Sequence, residues 1–145
     1  MKKQCLIKVS GDLVNNPGVI SQILNESEKY MIVYVHGAGK QFNEASKEAV
    51  SFDENGNRIA SQKQLEEFYY GPQQKIRDYL HSVFGDKINV ISPITEMDGV
   101  FENINADERF KKIYTSGFFE KGIIYTKDDR DKSHLQLSGV EIRYI

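Results

Sequence analysis

Two glycine-bearing stretches and two cations carry the chemistry this sequence offers. The longer stretch is residues 30–40, YMIVYVHGAGK. Its apolar run, Met31, Ile32, Val33, Tyr34 and Val35, has the length and β-branched content of a buried strand. The run breaks at His36-Gly37-Ala38-Gly39, and helix-like sequence follows. A strand that ends in a glycine turn and opens a helix leaves backbone N–H groups pointing one way, at the positive end of the helix dipole. Such a corner suits a phosphate or a carboxylate, and glycine lets the ligand approach the backbone. The plainer reading is a βα corner that needs glycine to turn. The stretch is not a Walker A loop, and Phe42 stands where a dinucleotide fingerprint has its third glycine.

The second stretch is residues 4–10, QCLIKVS, which reads as a strand with Lys8 inside its apolar run. A buried lysine is costly unless its ammonium reaches water, an anion or a carboxylate. Gly11 and the turn-like Asn15-Asn16-Pro17-Gly18 follow, so this strand also ends in a glycine corner with a cation beside it. The alternative for Lys8 is an edge-strand residue facing solvent. The other cation is Arg58, on the return strand of a hairpin expected over residues 49–60, with Asp53-Glu54-Asn55-Gly56 as its turn. Its planar fork suits a carboxylate; the alternative is a solvated strand residue.

The elements that position these groups follow from periodicity. Residues 17–28 read as a helix with Val19, Ile20, Ile23 and Leu24 on one face and Pro17 in its first turn. A helix over residues 40–48 follows the second strand. Strand, helix, strand, helix implies a parallel sheet with right-handed crossovers. Both strands then end at the same sheet edge, where the ligands of such sheets sit.

Residues 61–70 restart a helix, with Ser61 as cap and Gln64 in the capping-box place. Gly71-Pro72 marks a corner, and residues 73–84 form another helix, in which His81 is a surface or partly packed residue. Residues 87–92 read as a buried strand stopped by Pro93, and residues 96–100 as a turn. Three further strands are expected, at 110–115, 122–126 and 140–144. The loop 127–133 between the last two carries Asp128, Asp129 and Asp131 without the spacing of a calcium loop. It reads as a solvated turn, as does His134, and no metal site is expected.

The 145 residues make one domain, and Lys+Arg 19 against Asp+Glu 21 leaves a formal charge of -2. That balance gives no reason to expect nucleic acid or an anionic membrane as partner. The single cysteine, Cys5, reads as core. One thiol forms no internal disulfide, which favours a reducing, cytoplasmic compartment. No signal-peptide pattern and no stretch long enough to span a bilayer is present.

Taken in order, these motifs resemble the amino-acid kinase family, which includes N-acetylglutamate kinase, aminoadipate kinase, aspartokinase and uridylate kinase. The family's K-x-[GS]-G stands here as Lys8-Val9-Ser10-Gly11, and its H-G-G-G as His36-Gly37-Ala38-Gly39, with Ala38 departing from the all-glycine turn. The acylamino-acid branch's G-x-R-x-T hairpin resembles Gly56-Asn57-Arg58-Ile59-Ala60, followed by the helix that starts in QKQLEEF. Its later acidic-glycine turn and small β-layer resemble Asp98-Gly99 and the ending Gly139-Val140-Glu141-Ile142.

The resemblance implies a three-layer α-β-α fold with a mainly parallel sheet, matching residues 1–145 to the acceptor-substrate lobe of such a kinase. It implies that Lys8 stabilises charge on a transferred phosphoryl group. The amides of Gly11, Gly37, Ala38 and Gly39 would hold that group and the accepting carboxylate, and Arg58 the substrate's other carboxylate. A complete enzyme would phosphorylate an acylated amino acid such as N-acetylglutamate by positioning and charge neutralisation. Family kinases draw a further aspartate and a second lysine from a nucleotide-binding lobe, which this stretch of sequence does not resemble. ATP and magnesium are therefore expected only where such a lobe is supplied, with no cofactor for this chain alone. The alternatives are a non-catalytic small-anion-binding or regulatory module, or an oligomer-forming domain. A sheet edge left open by the missing lobe implies a homo-oligomer.

Overall fold

The apolar runs near the two ends of the chain meet in one sheet. The computed structural model describes residues 2–45, 51–54 and 58–145. Strand β1 (Lys3–Val9) lies at the centre. It pairs in parallel with β2 (Tyr30–His36) on one side and with β6 (Lys121–Thr126) on the other. Strand β3 (Ile88–Ile91) extends the sheet beyond β2, and β7 (Val140–Tyr144) extends it beyond β6, again in parallel. The order is β3-β2-β1-β6-β7. The short strands β4 (Ile94–Met97) and β5 (Val100–Asn103) form a separate antiparallel hairpin, turned by Asp98 and Gly99 at φ 51 and 79.

Side chains of β1 alternate between two layers. Cys5, Ile7 and Val9 face α1 (Pro17–Glu26), α3 (Gln62–Tyr70) and α4 (Pro72–Phe84), where Ile23, Phe68 and Leu80 close the larger core. Leu6 faces α5 (Ala106–Tyr114), where Phe110, Leu135 and Val140 close the smaller one. The result is the expected three-layer α-β-α architecture. No helix among the described residues is long and apolar enough to cross a membrane.

Local signals explain the helix starts. Asn16 Oδ1 accepts the Val19 amide at 3.1 Å, and Pro17 opens α1. Ser61 and Gln64 form a reciprocal capping box. The Gly71 corner needs glycine, since a Cβ there would stand 2.8 Å from the Glu67 carbonyl oxygen.

Several expectations are corrected. The strand expected at 110–115 is the C-terminal part of α5. Asn105 caps that helix by accepting the Asp107 and Glu108 amides, and Phe110, Ile113 and Tyr114 fall at helical spacing on the buried side. The last two strands form no small β-layer: β6 and β7 complete the main sheet. Gly122 makes room there, because a Cβ would come within 3.1 Å of Phe110, Tyr114 and Val140. Lys8 is no edge residue, since β1 is central and Lys8 is buried. Helix α2 (Gly39–Ala45) is described only to Ala45, and the expected Asn55-Gly56 turn lies outside the described residues. What is described of that hairpin is the Phe52–Arg58 bridge and a 2.9 Å bond from the Ile59 amide to the Ser51 carbonyl. On the edge strand β7, the Glu141–Arg143 ion pair, at 2.9 Å, puts charge where another strand would add.

Two glutamines fasten the β4–β5 hairpin to the helices. Gln73 is buried, and its amide both donates to the Ile94 carbonyl (2.9 Å) and accepts from the Ile94 amide (3.0 Å). Gln62 makes the same pair of bonds to Phe101, at 2.7 and 2.8 Å, nearer the surface. Removing Gln73 strands two buried backbone groups, so Gln73→Ala should lower unfolding stability by about 3 kcal/mol in a urea titration. Gln62→Ala, which lets water in, should cost about 1 kcal/mol. Equal losses would refute this account of the hairpin.

Candidate functional site

At the C-terminal edge of the sheet lies a cavity of about 210 Å³. Chain direction explains its place. The crossovers from β1 to β2 and from β2 to β3 run on the face of α1 and α4, whereas the crossover to β6 runs on the face of α5. Connections of opposite side therefore diverge beside β1, and a crevice opens at that point. All the residues singled out from the sequence, Lys8, Gly11, Gly37, Ala38, Gly39 and Arg58, line it.

Lys8 stands at its inner end. The β1 register pairs it with Val35 of β2 and Ile124 of β6, so strands flank it on both sides. Its Nζ lies 3.0 Å from Asp107 Oδ1, an oblique ion pair, and donates to Ser10 Oγ at 3.3 Å. Burial pulls the Lys8 pKa below its ordinary value, against the opposing pull of Asp107. Asp107 also accepts from Lys132 Nζ at 2.7 Å, and His134 Nε2 lies 3.6 Å away. Burial alone would raise the Asp107 pKa; Lys8 and Lys132 outweigh it and hold the carboxyl down at about 2. Two lysines thus share one ionised carboxylate. Arg130 also lines the cavity and donates to Asp12 at 2.9 Å, with Lys127 at 3.8 Å from the same oxygen.

Of the four amides expected to face an anion, that of Gly37 is taken up within the fold. The Gly37 amide donates to the Val9 carbonyl at 2.8 Å, completing the β1–β2 ladder, so it is not available to an anion. The Gly11 carbonyl accepts from Gln41 Nε2 at 2.7 Å, and the Ala38 carbonyl takes the Phe42 amide at 2.8 Å. Ala38 is buried and keeps a negative φ, so the departure from an all-glycine turn brings no strain. The need for Gly11 and Gly37 is mutual contact. A Cβ on Gly37 would stand 3.1 Å from the Gly11 nitrogen, and one on Gly11 would stand 3.0 Å from Ala38 Cα. Gly39 is freer, its nearest neighbour being Arg58 Nη2 at 3.7 Å.

His36 pins this corner from the opposite face. Its Nδ1 lies 3.0 Å from the Gly37 carbonyl oxygen and its Nε2 lies 2.8 Å from Ser92 Oγ, which accepts from Arg77 Nη1 at 2.8 Å. The neutral ring fits both contacts: Nδ1–H donates to the carbonyl, and Nε2 accepts from the serine hydroxyl. Burial, with Arg77 nearby, pushes the imidazole pKa down to about 4 despite the opposing Gly37 bond.

Arg58 lies at the outer end. Nη1 donates to Asn43 Oδ1 at 2.7 Å and Nη2 to the Gly39 carbonyl at 3.4 Å. Sequence reasoning missed Asp107 and Lys132, whereas His134 is exposed as expected. The available signal was Asn105-Ala106-Asp107, an N-cap followed by helical spacing, hidden by the strand reading of residues 110–115. Among the described residues, no group of three His, Cys, Asp or Glu side chains gathers to hold a metal.

Two outcomes follow. Gly11→Ala should destabilise by about 1–3 kcal/mol through backbone crowding. Gly39→Ala should stay within about 0.5 kcal/mol in the same denaturation experiment, and the reverse order would overturn the packing account. The second outcome concerns pH. Folded His36 binds its proton more weakly than the unfolded residue, so its stabilising effect is complete above about pH 6.5 and is lost as pH falls toward 4. The loss amounts to about 3 kcal/mol. Asp107 acts in a lower window, between its ordinary 3.8 and about 2. Denaturation midpoints between pH 7 and 4 should flatten in His36→Gln; an unchanged slope would exclude His36 as the cause.

No protein-family model matches the sequence, and no curated protein matches it. Among solved structures, the chain is similar to the crystal structure of smu.665 from Streptococcus mutans UA159, with a TM-score of 0.61. Identity is 19%, with 87% of this chain and 73% of that one covered. At that identity, what the two chains share is the α/β fold.

Proposed function

We propose that the cavity binds a small carboxylate or phosphate, and that the chain is an amino-acid-kinase-like domain for a small acidic substrate. The observation that carries this reading is the pair of lysines, Lys8 and Lys132, sharing the single carboxylate of Asp107 at the cavity's inner end. The surplus positive charge is desolvated, so an incoming anion gains more there than at an exposed lysine. The acid-base content also speaks for the kinase reading. The resemblance asks for an aspartate and a second lysine beside Lys8, expected from another lobe. Within this chain Asp107 and Lys132 lie beside Lys8, which supports that reading by residue type alone. In that reading the lysines carry charge on the anion, Asp107 fixes their positions, and the outer edge of Arg58 meets the rest of the substrate. ATP with magnesium would supply the phosphoryl group. The hydrogen bond that takes up the Gly37 amide favours the second reading, a binding module without catalysis, because one expected phosphoryl contact is lost.

Thermal unfolding of the full chain with phosphate, acetate and N-acetylglutamate tests the binding. A ligand at one hundred times its Kd adds about 2.7 kcal/mol, roughly 5–10 °C for a domain of this size. Lys132→Ala should abolish the shift and leave the fold intact, since Lys132 sits on a loop rather than in the sheet. No shift with any of these anions refutes the site. Release of ADP from Mg-ATP with N-acetylglutamate would establish the kinase; binding without turnover would establish the non-catalytic module.

A further inference from the structure

The cavity has two unlike ends. The inner one carries the lysine–aspartate cluster, and the outer one is aromatic. Phe42, Phe52 and Phe68 all line it. Phe42 and Phe68 are buried against each other, ring centroids 4.6 Å apart, whereas Phe52 is 56% exposed. The Arg58 guanidinium lies between two of these rings, its central carbon 4.5 Å from the Phe42 centroid and 5.0 Å from that of Phe52. With Asn43 and the Gly39 carbonyl holding its edges, Arg58 is a fixed plate in an aromatic wall rather than a mobile cation. Pro93 and Ile104 add to the apolar lining.

Phosphate or acetate alone would satisfy the lysines and leave this wall wet. Small-molecule sites join a few convergent polar groups to an apolar surface, and both components occur here in one cavity. Size is consistent with a ligand that uses both. An engineered cavity of about 150 Å³ in another protein holds benzene, so about 210 Å³ has room for one ring and a small head group.

We infer that the ligand is an acid carrying a flat apolar ring, with its anionic head against Lys8 and Lys132 and its ring against the exposed side of Phe52. This inference rests on the anion-binding reading and adds the ligand's other end. Stacking on Phe52 buries a ring face that is otherwise in water, and aromatic pairing strengthens that contact.

Isothermal titration of the full chain with phenyl phosphate and with methyl phosphate tests it, alongside phenylacetate and acetate. The aryl compound of either pair should bind about tenfold more tightly than its methyl counterpart. In Phe52→Ala, whose half-exposed side chain can be removed without opening the core, that ratio should fall to about one. A ratio near one in the unaltered protein overturns the inference while leaving anion binding intact. A tenfold ratio that survives Phe52→Ala overturns it too, because the ring then sits elsewhere. If none of the four compounds binds, the anion-binding reading itself fails and the inference falls with it.

Discussion

A lysine ammonium on the central strand of a covered sheet requires a fixed counter-charge, and the site is arranged around that requirement. Lys8 finds Asp107 at 3.0 Å, and Asp107 is fixed in turn by Lys132 at 2.7 Å. Three segments far apart in sequence, the end of β1, the start of α5 and the loop after β6, are thereby tied to one point. Such a cluster is weak evidence for stability. Desolvating the charges cancels much of their attraction, and well-packed apolar residues of similar volume often serve as well or better. Its interest is chemical: it keeps two ammonium groups and one carboxylate in a place that opens to a cavity.

The glycine corners carry a related lesson. The β1–β2 register sets Val9 opposite His36, so both strands end at the same height and their corners touch. Gly11 and Gly37 are what that touch demands, and the Gly37 amide closes the last rung of the ladder. The His36–Ser92–Arg77 chain, buried at His36 and Ser92, then orients the Gly37 carbonyl. A pattern that reads as a phosphate cradle is, at Gly37, a packing and ladder device. The charges that face the cavity are those of side chains, Lys8 and Lys132 among them.

This division explains what could be read in advance. Strands β1 and β2, helix α1 with Pro17 in its first turn and the Ser61–Gln64 box rest on contiguous apolar runs or on residues three apart, so the sequence shows them directly. The corners and Lys8 were legible because strand direction alone sends both corners to one edge. Helix α5 was not: at nine residues it is short, and Phe110, Ile113 and Tyr114 pass equally for an irregular strand. Whether β6 and β7 join the main sheet depends on partners over a hundred residues away, as in the Ile7–Ile123 pairing. The same distance hid Asp107 as the partner of Lys8, and a loop rich in Asp and Lys gave no sign that Lys132 turns inward. Charge pairing across the fold leaves no periodic trace.

The arrangement of charges also limits how a ligand can sit. Asp107 repels any anion, so an acid cannot occupy the centre of the cluster; it must approach from the side where the ammonium groups face the cavity. Lys8 is buried and pinned by Ser10 and Asp107, so it can lend charge but has little freedom to follow a ligand. Lys132 sits on the loop between β6 and β7, and its ammonium has three donors to divide between Asp107 and a guest. Arg58 is held between two rings. In the proposed reading, Lys8 and Arg58 at opposite ends of the cavity, with Lys132 and Arg130 also lining it, would select a ligand by length as well as charge. Such a ligand would reach the lysines with its head group while its body covers Phe52.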